Sequence, residues 1–307
     1  MINYFKTVDS AVVQLENPQS GCWINVVEPT ETEISMLIND FGLDSGFVKS
    51  ALDEEESSRI ETEDNQTLVI VDSPVAEKHT ENTILYSTVP IGIIITKSFV
   101  LTITTKENVV LSEMASGLIK NVQTGFQTQF ILILLLRIAA RFLQFLKQID
   151  KITLAMEKHL YKSMRNKELI QLLELEKSLV YFSTSLKANE ITLEKILRGR
   201  VIKLYDDDQD LLEDVLIEVK QAIEMSGIYT GILSGMMDAF ASVISNNLNV
   251  VMKRLTIITI VLAIPTIIFS FYGMNVPDLP FPKTGFTLII SAVVTSITAF
   301  ILLKKDK

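Results

Sequence analysis

Leu255-Thr256-Ile257-Ile258-Thr259-Ile260-Val261-Leu262-Ala263-Ile264-Pro265-Thr266-Ile267-Ile268-Phe269-Ser270-Phe271-Tyr272 contains no charged residue, and Gly273-Met274-Asn275 follows it. As a helix rising about 1.5 Å per residue the stretch covers roughly 27 Å, close to the hydrocarbon thickness of a bilayer. Residues Phe286 to Leu303 form a second uncharged stretch of the same length, and the connection Gly273 to Gly285 contains Pro277, Pro280 and Pro282. Three prolines exclude a helical connection, so the two stretches read as a membrane hairpin with spans at about 255–272 and 286–303. Lys253 and Arg254 precede the first span, and Lys304, Lys305 and Lys307 follow the second, against Lys283 alone between them. The positive-inside rule places both termini in the cytoplasm.

Outward from this hairpin the composition changes. Residues 1–250 carry 22 basic against 35 acidic residues, a net charge of −13, and the rest of the chain carries +4. An acidic cytosolic part repels phosphate backbones, which argues against nucleic acid as a partner, and attracts cations. Cys22 is the single cysteine and sits in an apolar stretch, so neither a disulfide framework nor a thiolate metal site forms within one chain. The N-terminus lacks a basic start with an apolar core, so no cleaved signal is expected.

Upstream of the first span, Asp208 to Phe271 holds one proline and three glycines (Gly227, Gly231, Gly235), permitting a helix of 64 residues that begins after Asp206-Asp207-Asp208. At about 1.5 Å per residue it is roughly 96 Å long, too long for a globule of this size. Residues Val109 to Arg198 predict further long helices interrupted only near Gly117 and Gly125. Phe130 to Leu146 is apolar enough to resemble a span, but Arg137, Arg141 and Lys147 would each cost about 2.5 to 3.5 kcal/mol at a bilayer centre, so it reads as a buried bundle helix.

The first hundred residues read as α/β. Strands are expected at Ala11 to Leu15, Cys22 to Val26, Thr67 to Val71, Ile84 to Ile95 with a break near Pro90, and Phe99 to Thr104, with a hairpin at Lys97-Ser98. Thr30-Glu31-Thr32-Glu33 is a capping box opening a helix that ends near Gly42, and Asp44 is placed to cap another. The fold class is therefore an α+β cytosolic domain, a mixed sheet flanked by helices, plus a long helical stalk and two C-terminal transmembrane helices. The expected division is an α/β domain at 1–108, a helical bundle and stalk at 109–250, and the transmembrane hairpin at 251–307.

Within the first span Thr259, Ala263, Thr266 and Ser270 recur at spacings of four, three and four, a stripe of small and weakly polar side chains on one face. The stripe reads equally as the lining of a narrow pore or as a helix contact. Pro265 adds a kink by freeing the carbonyl of Val261. One hairpin cannot enclose a water-filled path, so transport would need a ring of identical subunits.

Tyr272-Gly273-Met274-Asn275, with Ser245-Asn246, Asn249, Met252-Lys253 and Leu255-Thr256 upstream and Gly235-Met236-Met237-Asp238 earlier on the same helix, resembles the CorA family of magnesium channels. Trp23-Ile24-Asn25-Val26, Pro29-Thr30, Ala51-Leu52-Asp53, Arg59 and the hairpin at Ile91 to Ile103 agree more loosely. The resemblance implies a homopentameric funnel in the cell membrane that moves divalent cations. It implies Gly273, Met274 and Asn275 as the selectivity filter, with Asn275 forming the outer ring. It further implies Met252, Leu255 and Thr266 facing the pore, and Asp214 binding regulatory Mg2+ between subunits. Two departures stand out: the loop Val276 to Thr284 offers Asp278 where the family often carries Glu, and Pro265 stands one place nearer the motif than in some members.

A zinc transporter of the same superfamily is the nearest alternative, though such chains typically carry Ile at the place of Met274, and His79 and His159 are the only histidines. A membrane-anchored cation sensor that does not conduct is the other. No phosphate-binding glycine loop, nucleophile elbow or metalloprotease signature is present, so an enzyme is not expected.

Overall fold

The computed structural model describes residues 1–80, 83–163, 166–199, 202, 204–274, 280 and 284–305. Two compact units divide the chain, Met1–Met237 and Asp238–Lys307.

The first unit is built on a seven-stranded sheet. Its strands are β1 (Ile2–Val8), β2 (Ala11–Leu15), β3 (Trp23–Val27), β4 (Arg59–Glu63), β5 (Gln66–Thr80), β6 (Thr83–Ile95) and β7 (Val100–Thr104), in spatial order β2-β1-β3-β7-β6-β5-β4. Every neighbouring pair is antiparallel except β3 and β7, where Trp23 lies beside Val100 and Val27 beside Thr104. A parallel pair needs a long crossover. Here that crossover holds both short helices, α1 (Glu31–Asn39) and α2 (Ser45–Ala51), as well as β4 to β6.

Local chemistry starts each short helix where the sequence predicts. The Thr30 hydroxyl accepts from the Glu33 amide at 3.3 Å while the Glu33 carboxylate accepts from the Thr30 amide at 2.8 Å, closing the capping box. That last bond holds the Glu33 carboxyl below its ordinary range. Asp44 accepts from the Phe47 amide at 2.9 Å and caps α2. Leu37, Phe47, Val48 and Ala51 of these helices bury against Ile24, Val26, Leu68, Ile70, Ile94 and Ile103 on one sheet face. Gly92 makes the approach of α2 feasible, because a Cβ there would collide with Ala51.

On the other face Trp23 packs against Phe130 with ring centroids 5.2 Å apart, and its indole donates to Thr102 Oγ1 at 2.9 Å. Three helices serve that side: α3 (Val109–Ala115), α4 (Gln127–Ser163) and α5 (Asn166–Gly199). The Phe130 to Leu146 stretch of α4 is a buried helix, as its cations imply. Arg137 and Lys147 reach solvent, and Arg141 pairs with Glu113 of α3.

One local expectation needs correction. β6 runs unbroken through Pro90, which sits opposite Asp72, because β7 covers only Gly92 to Ile95 and a residue lacking an N–H is tolerated beyond that ladder. Strands β1 and β4 add to those that the sequence predicts. The helical stretch from Val109 breaks where Gly117 and Gly125 predict, at residues 116–126, with Gly117 and Asn121 at positive φ.

One helix, α6 (Asp206–Tyr272), begins in the first unit and ends in the second, which also contains α7 (Thr284–Lys305). At the start of α6 the Asp208 carboxylate accepts from the Tyr205 amide at 3.1 Å. Aligned N–H groups and the helix dipole favour this carboxylate in the first turn.

Candidate ion-conduction path

The second half of α6 is apolar without a core to bury in. Across its 18-residue most apolar window no residue is buried, and across that of α7 only 11% are. Ile258, Leu262, Ile267 and Phe269 of α6 and Leu288, Ile297 and Phe300 of α7 are exposed. Such a surface is stable only against lipid or another protein surface.

The weakly polar stripe lies on this helix, with Thr259, Thr266 and Ser270 exposed and Ala263 half-exposed. Met252 and Leu255 continue it towards the N-terminus and are 54% and 56% exposed. The Thr259 hydroxyl donates to the Leu255 carbonyl at 2.9 Å and that of Thr266 to the Leu262 carbonyl at 3.1 Å. Each hydroxyl proton is thereby committed to the helix. Its oxygen keeps acceptor capacity on the outside. A row of acceptors without formal charge is suited to the water shell of a cation, which offers only donors outward.

Pro265 stands inside the helix without ending it. Lacking an N–H, it withholds the ordinary helical hydrogen bond from the Val261 carbonyl. The helix closes at the motif: the Gly273 amide donates to the Phe269 carbonyl at 2.9 Å, and the Met274 amide to the Phe271 carbonyl at 3.4 Å. A Cβ on Gly273 would lie 3.1 Å from the Phe269 oxygen, so glycine suits this tight last turn. Asn275, with Asp278 and Lys283, lies outside the described residues.

Asp214 is exposed on α6, one turn beyond the exposed Asp210. Among the described residues no group of three His, Cys, Asp or Glu side chains converges to hold a metal. The side chains of His79 and His159 are not described. Cys22 is fully buried in the α1–α2 face of the sheet, as its apolar surroundings imply.

A buried polar node carries almost no signal in the sequence. Asn189 of α5 accepts from the Asp72 amide at 2.9 Å, donates to the Asp72 carbonyl at 2.9 Å and accepts from the Ser58 hydroxyl at 2.8 Å. Burial raises the Asp72 carboxyl above its ordinary range, opposed by a hydrogen bond with Ser185. The single cue in the sequence is a carboxylate inside the apolar run Leu68 to Val75.

A family model described as CorA-like Mg2+ transporter protein matches residues 18–305. The cobalt/magnesium transport protein CorA of Methanocaldococcus jannaschii is 28% identical over 288 residues, covering 91% of this chain and 88% of the relative. Its namesake from Thermotoga maritima is 24% identical over 326 residues, covering 99% and 88%. A solved structure of the complete M. jannaschii CorA magnesium transporter superposes with a TM-score of 0.81 at 23% identity, covering 99% of this chain and 96% of that one. That likeness is one of fold, and it spans both units.

Proposed function

This chain belongs to the CorA-like Mg2+ transporter family, a family of transporters and not of enzymes, and we propose that it is a homopentameric channel conducting Mg2+ across the cell membrane. Co2+ is the second expected cargo, because both similar transport proteins carry cobalt and magnesium in their names. The observation that carries the reading is the exposed, uncharged half of α6 with its outward hydroxyl oxygens, ending in the tight Gly273-Met274 turn. Five such helices around an axis enclose a path that one hairpin cannot. The α7 helices form the outer ring, and both termini lie in the cytoplasm.

Magnesium sheds its six waters reluctantly, so a filter that captures it without trapping it bonds to the hydration shell. Asn275 supplies neutral amide oxygens for that purpose at the mouth, with Gly273 and Met274 shaping the turn. A carboxylate ring would hold the ion longer, and conduction requires release. Thr259, Ala263, Thr266 and Ser270 line the path further in, and Met252 with Leu255 form an apolar constriction that closes by dewetting. Cytosolic Mg2+ bound between subunits at Asp214 favours the closed ring, which gives negative feedback.

The regulatory part is tested on Asp214→Ala. Flux should persist in this variant at cytosolic Mg2+ concentrations that silence the parent, with permeation at low Mg2+ unchanged. An inhibition curve that is unchanged, and identical to that of the same substitution at Asp206, removes Asp214 from the gate.

A further inference from the structure

Two exposed helix faces in the first unit are complementary. Between Ile170 and Arg198 the exposed residues of α5 include five apolar side chains, three lysines and an arginine, and not one carboxylate. Its glutamates at 174, 176, 190 and 194 are half-buried, with Glu194 pairing to Arg198 at 3.3 Å. The exposed face of α6 is the reverse. Asp210, Asp214 and Glu224 share one face there with Ile217, Ile228 and Ile232, and Lys220 flanks them. Leu173, Val180 and Ile191 are 44%, 52% and 57% exposed on α5, and Ile217, Ile228 and Ile232 are 62%, 60% and 50% exposed on α6. Both faces repeat at alternating steps of three and four, the spacing of a helix seam.

The two helices already touch inside one chain, through other faces. Ser226 of α6 donates to the Leu179 carbonyl of α5 at 3.1 Å, and Ser234 donates to Glu176 at 3.0 Å. These contacts make α5 and α6 antiparallel and fix their relative height. Rotation about a ring axis parallel to α6 leaves every residue at its own height. The α5 face of one copy therefore meets the α6 face of the next in the same register. In that register Val180 falls level with Ile228 and Ile191 with Ile217, while Leu173 falls level with Gly235. Lys195 falls level with Asp214, and Arg198 with Asp210. Lys177 and Lys187 fall at Gly231 and Gln221, where no acid faces them.

We propose that the exposed face of α5 docks on the exposed face of α6 in a second copy of this chain, a head-to-tail contact that repeats to close the ring. Val180 and Ile191 meet Ile228 and Ile217, and Lys195 and Arg198 meet Asp214 and Asp210, along one seam in a single register. The contact is heterologous, which is what a closed ring requires and a two-fold dimer does not. The inference rests on the ring assembly proposed above but not on conduction or on its gating.

Cysteine cross-linking of the full-length protein in membranes tests it, since Cys22 is buried and gives no background. Chains carrying Val180→Cys and chains carrying Ile228→Cys, with different tags, are co-expressed and oxidised. A disulfide-linked dimer containing both tags is expected, with none from either variant expressed alone. The pair Ile191→Cys with Ile217→Cys should behave the same way, whereas Leu173→Cys with Ile217→Cys should give no dimer. Absence of mixed dimers in preparations that keep the parental oligomeric size overturns the proposal. So does cross-linking of Val180→Cys to itself, which would mean that like faces meet. Cross-links in a protein that carries no Mg2+ flux would uphold the seam while rejecting the channel.

Discussion

Of the three described helices apolar enough to cross a bilayer, α4 and α6 resolve in opposite ways. The most apolar stretch of α4 is 61% buried inside the first unit, whereas that of α6 is not buried at all. What separates them is the distribution of charge along the helix. The apolar stretch of α4 carries Arg137, Arg141 and Lys147, each on the side that meets solvent or an acidic partner, while Leu255 to Tyr272 carries no charged side chain. Hydrophobicity alone thus says that a helix leaves water. The cations decide whether it enters a protein core or lipid.

The largest expected effect contrasts Phe142 of α4 with Phe300 of α7. Phe142 is fully buried and meets Phe182 edge-on at 5.1 Å, while Phe300 is 67% exposed. Phe142→Ala should destabilise the first unit by about 3–5 kcal/mol. Phe300→Ala should leave it within about 0.5 kcal/mol. Denaturant unfolding followed through the fluorescence of Trp23, the single tryptophan and fully buried, reads that unit directly. Equal losses in the two variants would break the contrast.

A charge placed in the span sharpens it further. Ile267→Arg, at a position 66% exposed on α6, should weaken membrane integration by about 2.5–3.5 kcal/mol. The readout is the fraction of protein that resists alkaline extraction. Wild-type integration would mean that this face of α6 is not bordered by lipid.

The smallest effect concerns Asp72, a half-buried carboxylate of β5. The folded state raises the Asp72 pKa by burial, so its neutral form is favoured there. Stability from this group is greatest below the ordinary carboxylate value of about 3.9 and declines as pH rises through that value and the higher folded one. Asp72→Asn should therefore raise the melting temperature at neutral pH, and the gain should vanish near pH 3. A gain independent of pH would assign the effect to packing.

Much of this architecture is legible in the residues themselves. Thr30, Glu33 and Asp44 mark helix starts because capping is local chemistry, and the uncharged stretches mark spans because bilayer thickness is fixed. β1 and β4 escape notice for physical reasons. Residues Ile2 to Val8 alternate weakly, and Arg59-Ile60-Glu61-Thr62-Glu63 is an edge strand, largely exposed, whose charges suit its position and hide its pattern. Pro90 misleads in the other direction, since its cost depends on where a neighbouring strand stops. For the candidate path, spacing picks out the stripe Thr259, Ala263, Thr266 and Ser270, whereas Met252, Leu255, Gly273, Met274 and Asn275 come from the resemblance to the CorA family. Which of them face an ion depends on neighbouring copies, and no sequence pattern in one chain records that. Asn189 is invisible for a related reason: its partners Asp72 and Ser58 are more than a hundred residues away.

The central claim is that Asn275 filters hydrated Mg2+ in a ring of these chains. Purified protein in liposomes loaded with a Mg2+-sensitive dye should give an inward flux on addition of external Mg2+. Asn275→Ala should lose most of it while keeping the parental oligomeric size. Flux at the parental rate from Asn275→Ala, or no flux from the parent itself, would contradict the account.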